Sequence, residues 1–555
     1  MSTMNSGQFF AQTLKGYGTT HVFFVPSIFN SSQPAMDDLG ILPVTTHHEV
    51  AAAYMADGYA RASRRPGVCM AQGVGGANLA AGLREAFLSC TPVIALSGSA
   101  HPDSRYRYLY QIIEGFPMFE PVTKFNARVE KPSRLPDLLR QAYRVATTGT
   151  PGPVHLELPG RQGEVIETEA DFQVIIEEQF KRAPAFRPAP DDSHVEAAAR
   201  LLASAERPVI LAGGGVTASG AGAELVALAE KLSIPVVTTL TGKETIPGNH
   251  PLSLGVVGTY GRWSANQALA EADLVFIAGS RVGGHATHNW RFPRPGVRTI
   301  QMDLDPAEIG RSYPAEVGII GDAKMSLKRL IEAAKPGAGR PEWVQRAQSL
   351  RSEWWASVAP YANSDAVPLR PERVCKEVSE FLPEDAVMVI DTGHAAIWSG
   401  TMVDLNKPGQ RYIRCAGTLG WSFPASIGVK CALPNQPVLC FAGDGGFCYH
   451  IAELETAARL GINVVVLVNN NRALSQTKKL FDGAYGGTQR GRARDMWVFG
   501  EVDFPAVAEA MGCLGLKVEK PGELKPALER AFSANRPVVI DVKTDIEAFP
   551  QSPSR

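Results

Sequence analysis

The chain has 555 residues, of which 45% are hydrophobic and 20% are charged, and its formal net charge at pH 7 is −1. This charge balance offers no basic surface for nucleic acid or anionic lipid, and no run of about eighteen apolar residues marks a membrane span, so we expect neither partner. The length predicts several domains, because one domain usually holds about 150 residues.

The cysteines and the first residues indicate the compartment. None of the eight cysteines belongs to a CxxC pair or a zinc-ligand spacing, and most lie in apolar runs, as reduced core cysteines do. The first residues lack the basic and apolar regions of a secretory signal. We therefore expect a cytoplasmic protein with reduced cysteines.

Short apolar runs alternate with helical patterns along the whole chain. The runs are continuously hydrophobic, which is typical of strands buried on both faces of a parallel sheet. Repeated strand–helix units predict an α/β protein with three doubly wound parallel-sheet domains. Stretches rich in Pro, Gly or charge at 180–194 and 333–343 are the predicted linkers. They give predicted domains at 1–180, 190–335 and 360–555.

The first feature of chemical interest is TTHHEVAAAYMADGYAR, at residues 45–61. An Ala-rich helical pattern begins there with Glu49 at its head. A glutamate in a first turn interacts favourably with the helix dipole, and Thr45–Thr46 would supply the N-cap. This segment alone favours a capping role, and a chemical role for the carboxylate needs support from elsewhere in the chain.

The middle third contains a triple glycine after a strand, in LAGGGV at 211–216. Such a turn approaches phosphate groups in nucleotide sites, but it also makes a tight strand–helix connection. No GxGxxG pattern with a suitably placed acidic residue occurs there, which argues against a nicotinamide oxidoreductase.

The last third carries the strongest signal. A buried strand ends in Gly443-Asp444-Gly445-Gly446, a helical segment follows, and a second buried strand ends in Asn469-Asn470-Asn471. Because the parallel strands of a βαβ unit end at the same sheet edge, we expect Asp444 and Asn471 to be neighbours. Their oxygens suit Mg²⁺ together with phosphate oxygens, and the glycines let the backbone approach a diphosphate.

On these motifs the chain resembles thiamine diphosphate (ThDP)-dependent enzymes of the acetolactate synthase, pyruvate oxidase and 2-hydroxyacyl-CoA lyase superfamily. The resemblance covers essentially the whole chain, in the order pyrimidine-binding, central and diphosphate-binding domain. It implies that Mg²⁺ is held by Asp444, Asn471 and the backbone carbonyl of Ala473. Segments 391–398 and 417–428 resemble cofactor-contacting loops. The residues it places at the cofactor in this third are Gly393, His394, Gly417, Leu419, Gly443, Asp444, Gly445, Gly446 and Asn471.

In the N-terminal third, the resemblance assigns Glu49 to the family's general acid–base glutamate. A carboxyl group on the aminopyrimidine nitrogen favours the imino tautomer, whose exocyclic nitrogen takes the proton from C2 of the cofactor. QGVGGANLAAGL at 72–83 resembles the family's Gly-rich loop, and Tyr110–Gln111 matches a pair near the thiazolium. The residues it adds to the site are Gly73, Gly75 and Asn78 at the cofactor, with His48 and Gln111 as catalytic partners.

The resemblance also has implications beyond the single chain. The protein would be a homodimer or homotetramer with active sites between subunits, so that Glu49 faces the Asp444 site of the partner subunit. The central segments resemble a degenerate nucleotide site that holds FAD or ADP in relatives. The substrate would be a small carbonyl compound.

The implied reaction is decarboxylation of a 2-keto acid followed by carboligation or release. Acetolactate synthase is the nearest likeness, and Arg281 is kept. Other specificity positions differ from its pattern: His285 and Leu480 replace an arginine and a tryptophan, Gly160 replaces a lysine, and Ser27 stands where a Gly-Gly pair is usual. These departures argue against biosynthetic acetolactate formation.

Several alternatives remain open from the sequence. The first is a 2-hydroxyacyl-CoA lyase or an aldehyde lyase similar to benzaldehyde lyase. A nicotinamide oxidoreductase would leave Glu49 and the Asp444–Asn471 unit unexplained. A non-catalytic homologue is disfavoured by the presence of these same three residues.

Overall fold

The computed structural model describes residues 3–336 and 339–554, which form three six-stranded parallel sheets in chain order. The predicted α/β architecture of three doubly wound parallel-sheet domains is confirmed. Helices cover both faces of each sheet, so both faces are buried. Consecutive side chains of a strand point to opposite faces and therefore enter different parts of the core. In the first sheet, Cys69 and Ala71 belong to one core cluster, and Val68 and Met70 belong to the other.

The N-terminal unit contains eight strands and five helices among the described residues. The strands are β1 (Met4–Asn5), β2 (His21–Phe24), β3 (Leu42–Thr45), β4 (Gly67–Ala71), β5 (Val93–Gly98), β6 (Phe125–Arg128), β7 (Val154–Leu158) and β8 (Glu169–Ala170). The helices are α1 (Ser6–Tyr17), α2 (Ser32–Asp38), α3 (Glu49–Ser63), α4 (Gly76–Leu88) and α5 (Leu135–Thr147). The sheet order is β3-β2-β4-β5-β7-β6, and β1 pairs antiparallel with β8 outside it.

The central unit repeats this plan. Its strands are β9 (Pro208–Ala212), β10 (Val236–Thr238), β11 (Ser253–Val256), β12 (Leu274–Ala278), β13 (Arg298–Asp303) and β14 (Val317–Ile320). Its helices are α6 (Asp192–Ser204), α7 (Gly214–Ser219), α8 (Gly222–Leu232), α9 (Trp263–Glu271) and α10 (Ala323–Ala333). The sheet order is β11-β10-β9-β12-β13-β14.

The C-terminal unit follows the long helix α11 (Pro341–Ala362). Its strands are β15 (Val387–Ile390), β16 (Arg411–Arg414), β17 (Val438–Gly443), β18 (Val465–Asn470), β19 (Leu514–Val518) and β20 (Val538–Lys543). Its helices are α12 (Pro371–Phe381), α13 (His394–Met402), α14 (Ser422–Ala432), α15 (Asp444–Cys448), α16 (Glu453–Arg459), α17 (Lys478–Ala484), α18 (Phe504–Ala510) and α19 (Leu524–Ser533). The sheet order is β16-β15-β17-β18-β20-β19.

Short 3₁₀ helices occur in the connections. They cover Gly73–Gly75, Pro102–Ser104, Phe116–Val122, Pro132–Arg134, Glu164–Ile166, Glu178–Lys181, Leu240–Thr245, Pro306–Glu308, Ser475–Thr477 and Ala493–Met496. Among the described residues, no helix is both long and apolar enough to cross a membrane.

The helix expected after the Gly443–Gly446 turn is divided in two. α15 ends at Cys448 and α16 begins at Glu453, with a turn between them. Two glycines in the short first helix lower its helical propensity, and the break lets the chain turn towards the N-terminal unit. Residues 337–338 of the predicted linker 333–343 lie outside the described residues, and the end of α10 and the start of α11 flank them.

Helices α3 and α14 join the N-terminal and C-terminal units. The indole N–H of Trp421 donates to Oδ2 of Asp57 at 2.8 Å, while the start of α3 approaches α16 through the amide of His47 and Oε1 of Glu453, at 3.0 Å. A Cβ on Gly428 would overlap the backbone carbonyl of Met55. These contacts make the two helices antiparallel, so that the first turn of α3 lies far from the first turn of α14.

Candidate active site

Glu49 is the first residue of α3, close behind the end of β3. The helix is capped by His48, whose ring nitrogen Nδ1 accepts a hydrogen bond from the amide of Val50 at 3.1 Å. The expectation that Thr45–Thr46 caps this helix is therefore wrong, because His48 has the extended backbone that an N-cap requires. A histidine cap leaves the Glu49 carboxylate free for other contacts.

The Glu49 carboxylate lies against the Gly-rich loop. Its Oε2 accepts a hydrogen bond from Nδ2 of Asn78 at 3.0 Å. Its Oε1 occupies the space in which a side chain at Gly75 would begin. The position of the glutamate explains why residue 75 is a glycine. The structure thus brings two predicted loop residues, Gly75 and Asn78, together with Glu49.

Gln111 lies on the other side of the same loop. A Cβ on Gly73 would lie 3.3 Å from the backbone oxygen of Gln111 and 2.6 Å from Cδ1 of Ile112. Gln111 has a φ of 62°, in the left-handed region that a side chain rarely adopts. Its Oε1 accepts a hydrogen bond from Nη1 of Arg161 at 3.0 Å. The Gly-rich loop therefore connects two sets of contacts, with Glu49 at Gly75 and with Gln111 and Arg161 at Gly73.

The second group of predicted residues meets at the carboxyl edge of the C-terminal sheet. Asp444 is 4% exposed, and burial raises its pKa to about 7. The nearby backbone amides, first that of Asp444 itself and then those of Asn471, Ala473 and Gly445, favour the charged carboxylate and oppose that shift of the pKa. The approach of Asn471 and Ala473 to Asp444 is the neighbour relation expected from the βαβ unit.

The donor set suits a hard cation. Nδ2 of Asn471 donates to Oγ of Ser475 at 2.8 Å, which orients the amide and leaves Oδ1 for another partner. In the part of the chain that is described, no cluster of three or more His, Cys, Asp or Glu side chains has the arrangement of a metal site. Amide and backbone oxygens of the kind that Mg²⁺ takes are available beside Asp444 at Asn471 and Ala473.

The glycines of this edge divide into two kinds. A Cβ on Gly443 or Gly417 would meet nothing within 4 Å, so these two positions border open space. A Cβ on Gly445 would lie 2.8 Å from Cδ2 of Leu474, and one on Gly446 would lie 3.0 Å from Oδ1 of Asp391 and 3.3 Å from Cδ1 of Leu419. The backbone at Gly446 therefore lies close to the side chain of Leu419.

Asp391 was missed by the sequence interpretation. Its buried carboxylate accepts hydrogen bonds from the amides of Thr392, Gly420 and Ser422 and from the hydroxyl of Ser422, at 2.7–3.1 Å. Burial raises its pKa. It fixes the loop that carries Leu419 against the Gly446 turn. The available signal was its position directly after β15, at the same sheet edge as Asp444.

Gly393 and His394 begin α13 at the same edge. Gly393 has a φ of 69°, and a Cβ there would lie 3.3 Å from Oε1 of Gln476, a second residue that the sequence interpretation missed. His394 packs edge-on against Trp398 and Phe549, and its buried Nδ1 has no hydrogen-bond partner among the described residues. Burial lowers the pKa of His394 to about 4, so its ring is neutral at physiological pH.

Among the described residues, no hydrogen bond or ion pair joins the Glu49 side chain to Asp444 or Asn471. Asp57 contacts Trp421, next to the Leu419 loop, and eight residues of helix separate Asp57 from Glu49, a length of about 12 Å. The Glu49 end of α3 instead contacts the start of α16 and the turn before it, where the rings of His48 and His450 lie 6.1 Å apart. His48 thus lies at a contact between the N-terminal and C-terminal units and serves as a helix cap.

Three family descriptions match the chain in order. Residues 4–118 match the thiamine pyrophosphate enzyme, N-terminal TPP binding domain; residues 195–330 match the central domain; residues 391–542 match the C-terminal TPP binding domain. Thiamine pyrophosphate is another name for ThDP. Each of the three matches falls on one of the three parallel sheets described above.

Curated relatives extend the likeness over almost the whole chain. It is 36% identical to the probable acetolactate synthase large subunit of Methanocaldococcus jannaschii, over 94% of this chain and 88% of that protein. It is 32% identical to the acetolactate synthase large subunit of Corynebacterium glutamicum, over 99% and 88%, and 30% identical to that of Lactococcus lactis, over 97% and 92%. The chain therefore belongs to the ThDP-dependent enzymes, in the family of the acetolactate synthase large subunits.

Proposed function

We propose that the chain is a Mg²⁺- and ThDP-dependent carboligase that acts on 2-keto acids. The reaction releases CO₂ from one 2-keto acid and joins the remaining acyl unit to the carbonyl carbon of a second molecule. The observation that carries the proposal is the approach of Asn471 and Ala473 to the buried Asp444 carboxylate, beside open space at Gly443. The names of the relatives support this reaction over a 2-hydroxyacyl-CoA lyase or a benzaldehyde lyase.

The residues present at this edge fit the cofactor and its metal. Asp444, Asn471 and the backbone carbonyl of Ala473 would hold Mg²⁺, and the turn at Gly443, Gly445 and Gly446 would hold the diphosphate. ThDP supplies, when bound, a carbon nucleophile and an electron sink for cleavage and formation of C–C bonds. Four more residues at this sheet edge are proposed to contact the cofactor: Gly393, His394, Gly417 and Leu419.

Glu49 would hold and move a proton at its carboxylate oxygens. Asn78 fixes Oε2 by a hydrogen bond, and Gly75 leaves room for Oε1 to face the loop. A carboxylate held in this way is positioned for general acid–base work. Gln111 and His48 complete the proposed catalytic set, with His48 acting through the backbone that it caps.

We propose further that two subunits share each active site. The antiparallel packing of α3 on α14 separates Glu49 from Leu419 and Asp391 within one chain. A homodimer would place Glu49 of one subunit at the Asp444 site of the other, and a homotetramer would be a pair of such dimers. We also retain the domain limits 1–180, 190–335 and 360–555 and a cytoplasmic location as proposals.

The acceptor pocket would differ from that of the relatives. His285 packs edge-on against Tyr260 at 4.9 Å, and the Tyr260 hydroxyl accepts a hydrogen bond from Gln476 at 2.6 Å. Gln476 in turn faces Gly393. This chain of contacts connects His285, which replaces an arginine, to a cofactor-contacting loop. We therefore propose that this enzyme selects its acceptor by different contacts from a biosynthetic acetolactate synthase.

FAD or ADP at the central unit is a further proposal. Its Gly-rich turn does not by itself require a nucleotide, because a Cβ on Gly213 or Gly215 would strike the backbone at Gly279. Close packing between two loops thus explains these glycines without a phosphate group. The absorption spectrum of the purified protein tests for flavin, and a nucleotide released on denaturation tests for ADP.

The carboligase proposal is tested by incubating the Mg²⁺- and ThDP-loaded protein with a panel of 2-keto acids and identifying products by mass spectrometry.

Glu49→Gln is expected to abolish product formation while ThDP still raises the melting temperature. Glu342→Gln is the matched control, because Glu342 is also a first-turn glutamate but lies exposed on α11. Asp444→Ala is expected to lose the ThDP-dependent stabilisation. Full activity in Glu49→Gln, or unchanged stabilisation in Asp444→Ala, would contradict the proposal.

A further inference from the structure

Arg161 lies at the carboxyl edge of the N-terminal sheet, just after β7. Its backbone oxygen accepts a hydrogen bond from the amide of Gly73 at 2.9 Å, so that it is tied to the Gly-rich loop. Its guanidinium donates to Oε1 of Gln111 at 3.0 Å and lies 5.7 Å from the centre of the Tyr110 ring. The side chain is partly exposed and lies on the same edge as Glu49.

The charge of Arg161 is not neutralised within the described chain. Both of its side-chain partners, Gln111 and Tyr110, are neutral, and no described carboxylate forms an ion pair with it. Glu164 is the acid closest to it in sequence, and its Oε2 accepts a hydrogen bond from the amide of Gln162 instead. An arginine remains charged at any physiological pH and has five N–H donors, of which one is used here.

The surroundings of Arg161 are built to hold it in place. Gln111, which accepts its hydrogen bond, has a left-handed backbone in contact with Gly73. Backbone outliers of this kind persist where the neighbouring structure holds them, and they are common at ligand-binding positions. A fixed planar cation with free donors, beside the proposed acid–base residue, matches the geometry of a carboxylate.

We propose that Arg161 is the residue that binds the carboxylate of the 2-keto acid acceptor. This inference rests on the proposed carboligase function. In the reaction, the C–C bond to the donor carboxylate breaks, CO₂ leaves, and the electron pair forms a new C–C bond to the acceptor carbonyl carbon, whose oxygen takes up one proton. The product is a 2-hydroxy-3-keto acid that retains the acceptor carboxylate.

The assignment to the acceptor follows from the charges in this reaction. The donor carboxylate loses its negative charge on the way to CO₂, so a cation bound to it would stabilise the starting state more than the transition state. The acceptor carboxylate keeps its charge from substrate to product. A fixed arginine at that carboxylate aids binding and orientation without opposing decarboxylation.

The test compares charged and neutral acceptors in the loaded enzyme, with pyruvate as donor. Arg161→Gln is expected to raise KM for 2-oxobutyrate as acceptor about 10- to 100-fold, because a charge-assisted hydrogen-bonded pair is lost. The loss with propanal, which lacks the carboxylate, is expected to be at least about 10-fold smaller than the loss with 2-oxobutyrate. Arg161→Lys should recover part of the loss. Arg134→Gln, on an exposed arginine paired with Asp137, is the matched control.

A binding measurement separates this inference from the carboligase proposal. Saturation-transfer NMR of the loaded protein with 2-hydroxyisobutyrate, an unreactive carboxylate, is compared with its neutral amide. The wild-type chain is expected to favour the acid, and Arg161→Gln is expected to lose that preference. Equal losses for 2-oxobutyrate and propanal, or an unchanged preference for the acid, would overturn the role of Arg161. Absence of any product in the wild type alongside a lost preference in the variant would overturn only the carboligase proposal.

Discussion

Glu49 is held by two neighbours that leave its carboxylate little freedom. Asn78 binds one carboxylate oxygen, and the other fills the space beside Gly75. A methyl group at position 75 would conflict with the end of a flexible side chain and not with backbone. The fold would therefore persist while the carboxylate moves away from its place, which makes position 75 a sensitive probe of the role of Glu49.

Gly75→Ala is accordingly expected to lower kcat by about 10- to 100-fold with little change in melting temperature. Gly76→Ala is the matched control, because a Cβ there makes an ordinary contact of 3.5 Å with Ser97. Kinetic and thermal-unfolding measurements on both variants check the prediction. Equal activities would show that the position of the Glu49 carboxylate is not important for turnover.

The sequence could predict individual residues where a pattern fixes their place. Asp444 and Asn471 were expected to be neighbours because both follow parallel strands, and the structure brings them together. Asp391 also follows a parallel strand directly, so the same pattern could have found it. Gln476 could not be found in this way, because its contact with Gly393 depends on how the loops fold over the sheet edge. The cap of α3 was misassigned because a histidine, which is not a common cap, took the place of the two threonines.

At the scale of elements, the helix pair α3–α14 is the feature that the apolar pattern did not reveal. Both helices are rich in small residues, and their backbones approach closely at Gly58 and Gly428. Hydrophobic periodicity shows that a helix is buried, but it does not show which other helix covers it. The pairing matters because it places Glu49 and Leu419 at opposite ends.

Gly428→Ala is expected to destabilise the protein by about 2 kcal/mol, because the added methyl group would overlap the carbonyl oxygen of Met55 and force the helices apart. Chemical denaturation measures the change. Gly483→Ala is the control, because a Cβ there meets nothing within 4 Å and should leave stability unchanged or slightly raised. Similar stabilities of the two variants would contradict the close packing of α3 on α14.

At the scale of the whole molecule, the order of three α/β domains was predictable from repeated strand–helix units, but the contacts between the domains were not. Lys243 illustrates this. It is buried between the central and C-terminal units, where its ammonium donates to the backbone oxygen of Gly400 at 2.8 Å. Burial lowers its pKa to about 7, although Asp404 opposes the shift. Nothing in the local sequence distinguishes this lysine from an exposed one.

The lowered pKa of Lys243 predicts a pH-dependent stability. The unfolded chain binds a proton at Lys243 up to about pH 10, whereas the folded chain loses it above about pH 7, so stability rises with pH across this window. Below about pH 7 the buried Lys243 side chain is a charged ammonium, so the full free-energy cost of burying that charge lowers the stability. Lys243→Met should thus be more stable than the wild type by about 2 kcal/mol near pH 7, and the difference should shrink towards about pH 10. Parallel stability curves would contradict the prediction.

The central claim is that Glu49 and Asp444 act on the same cofactor from two subunits. Subunit complementation measures this most directly: Glu49→Gln and Asp444→Ala chains with different affinity tags are co-expressed, and the doubly tagged dimers are purified. Each mixed dimer would contain one site with both defects and one site with neither. We expect each parent to be inactive and the mixed dimer to recover about half of the wild-type activity. Mixed dimers that form but remain inactive would contradict the claim.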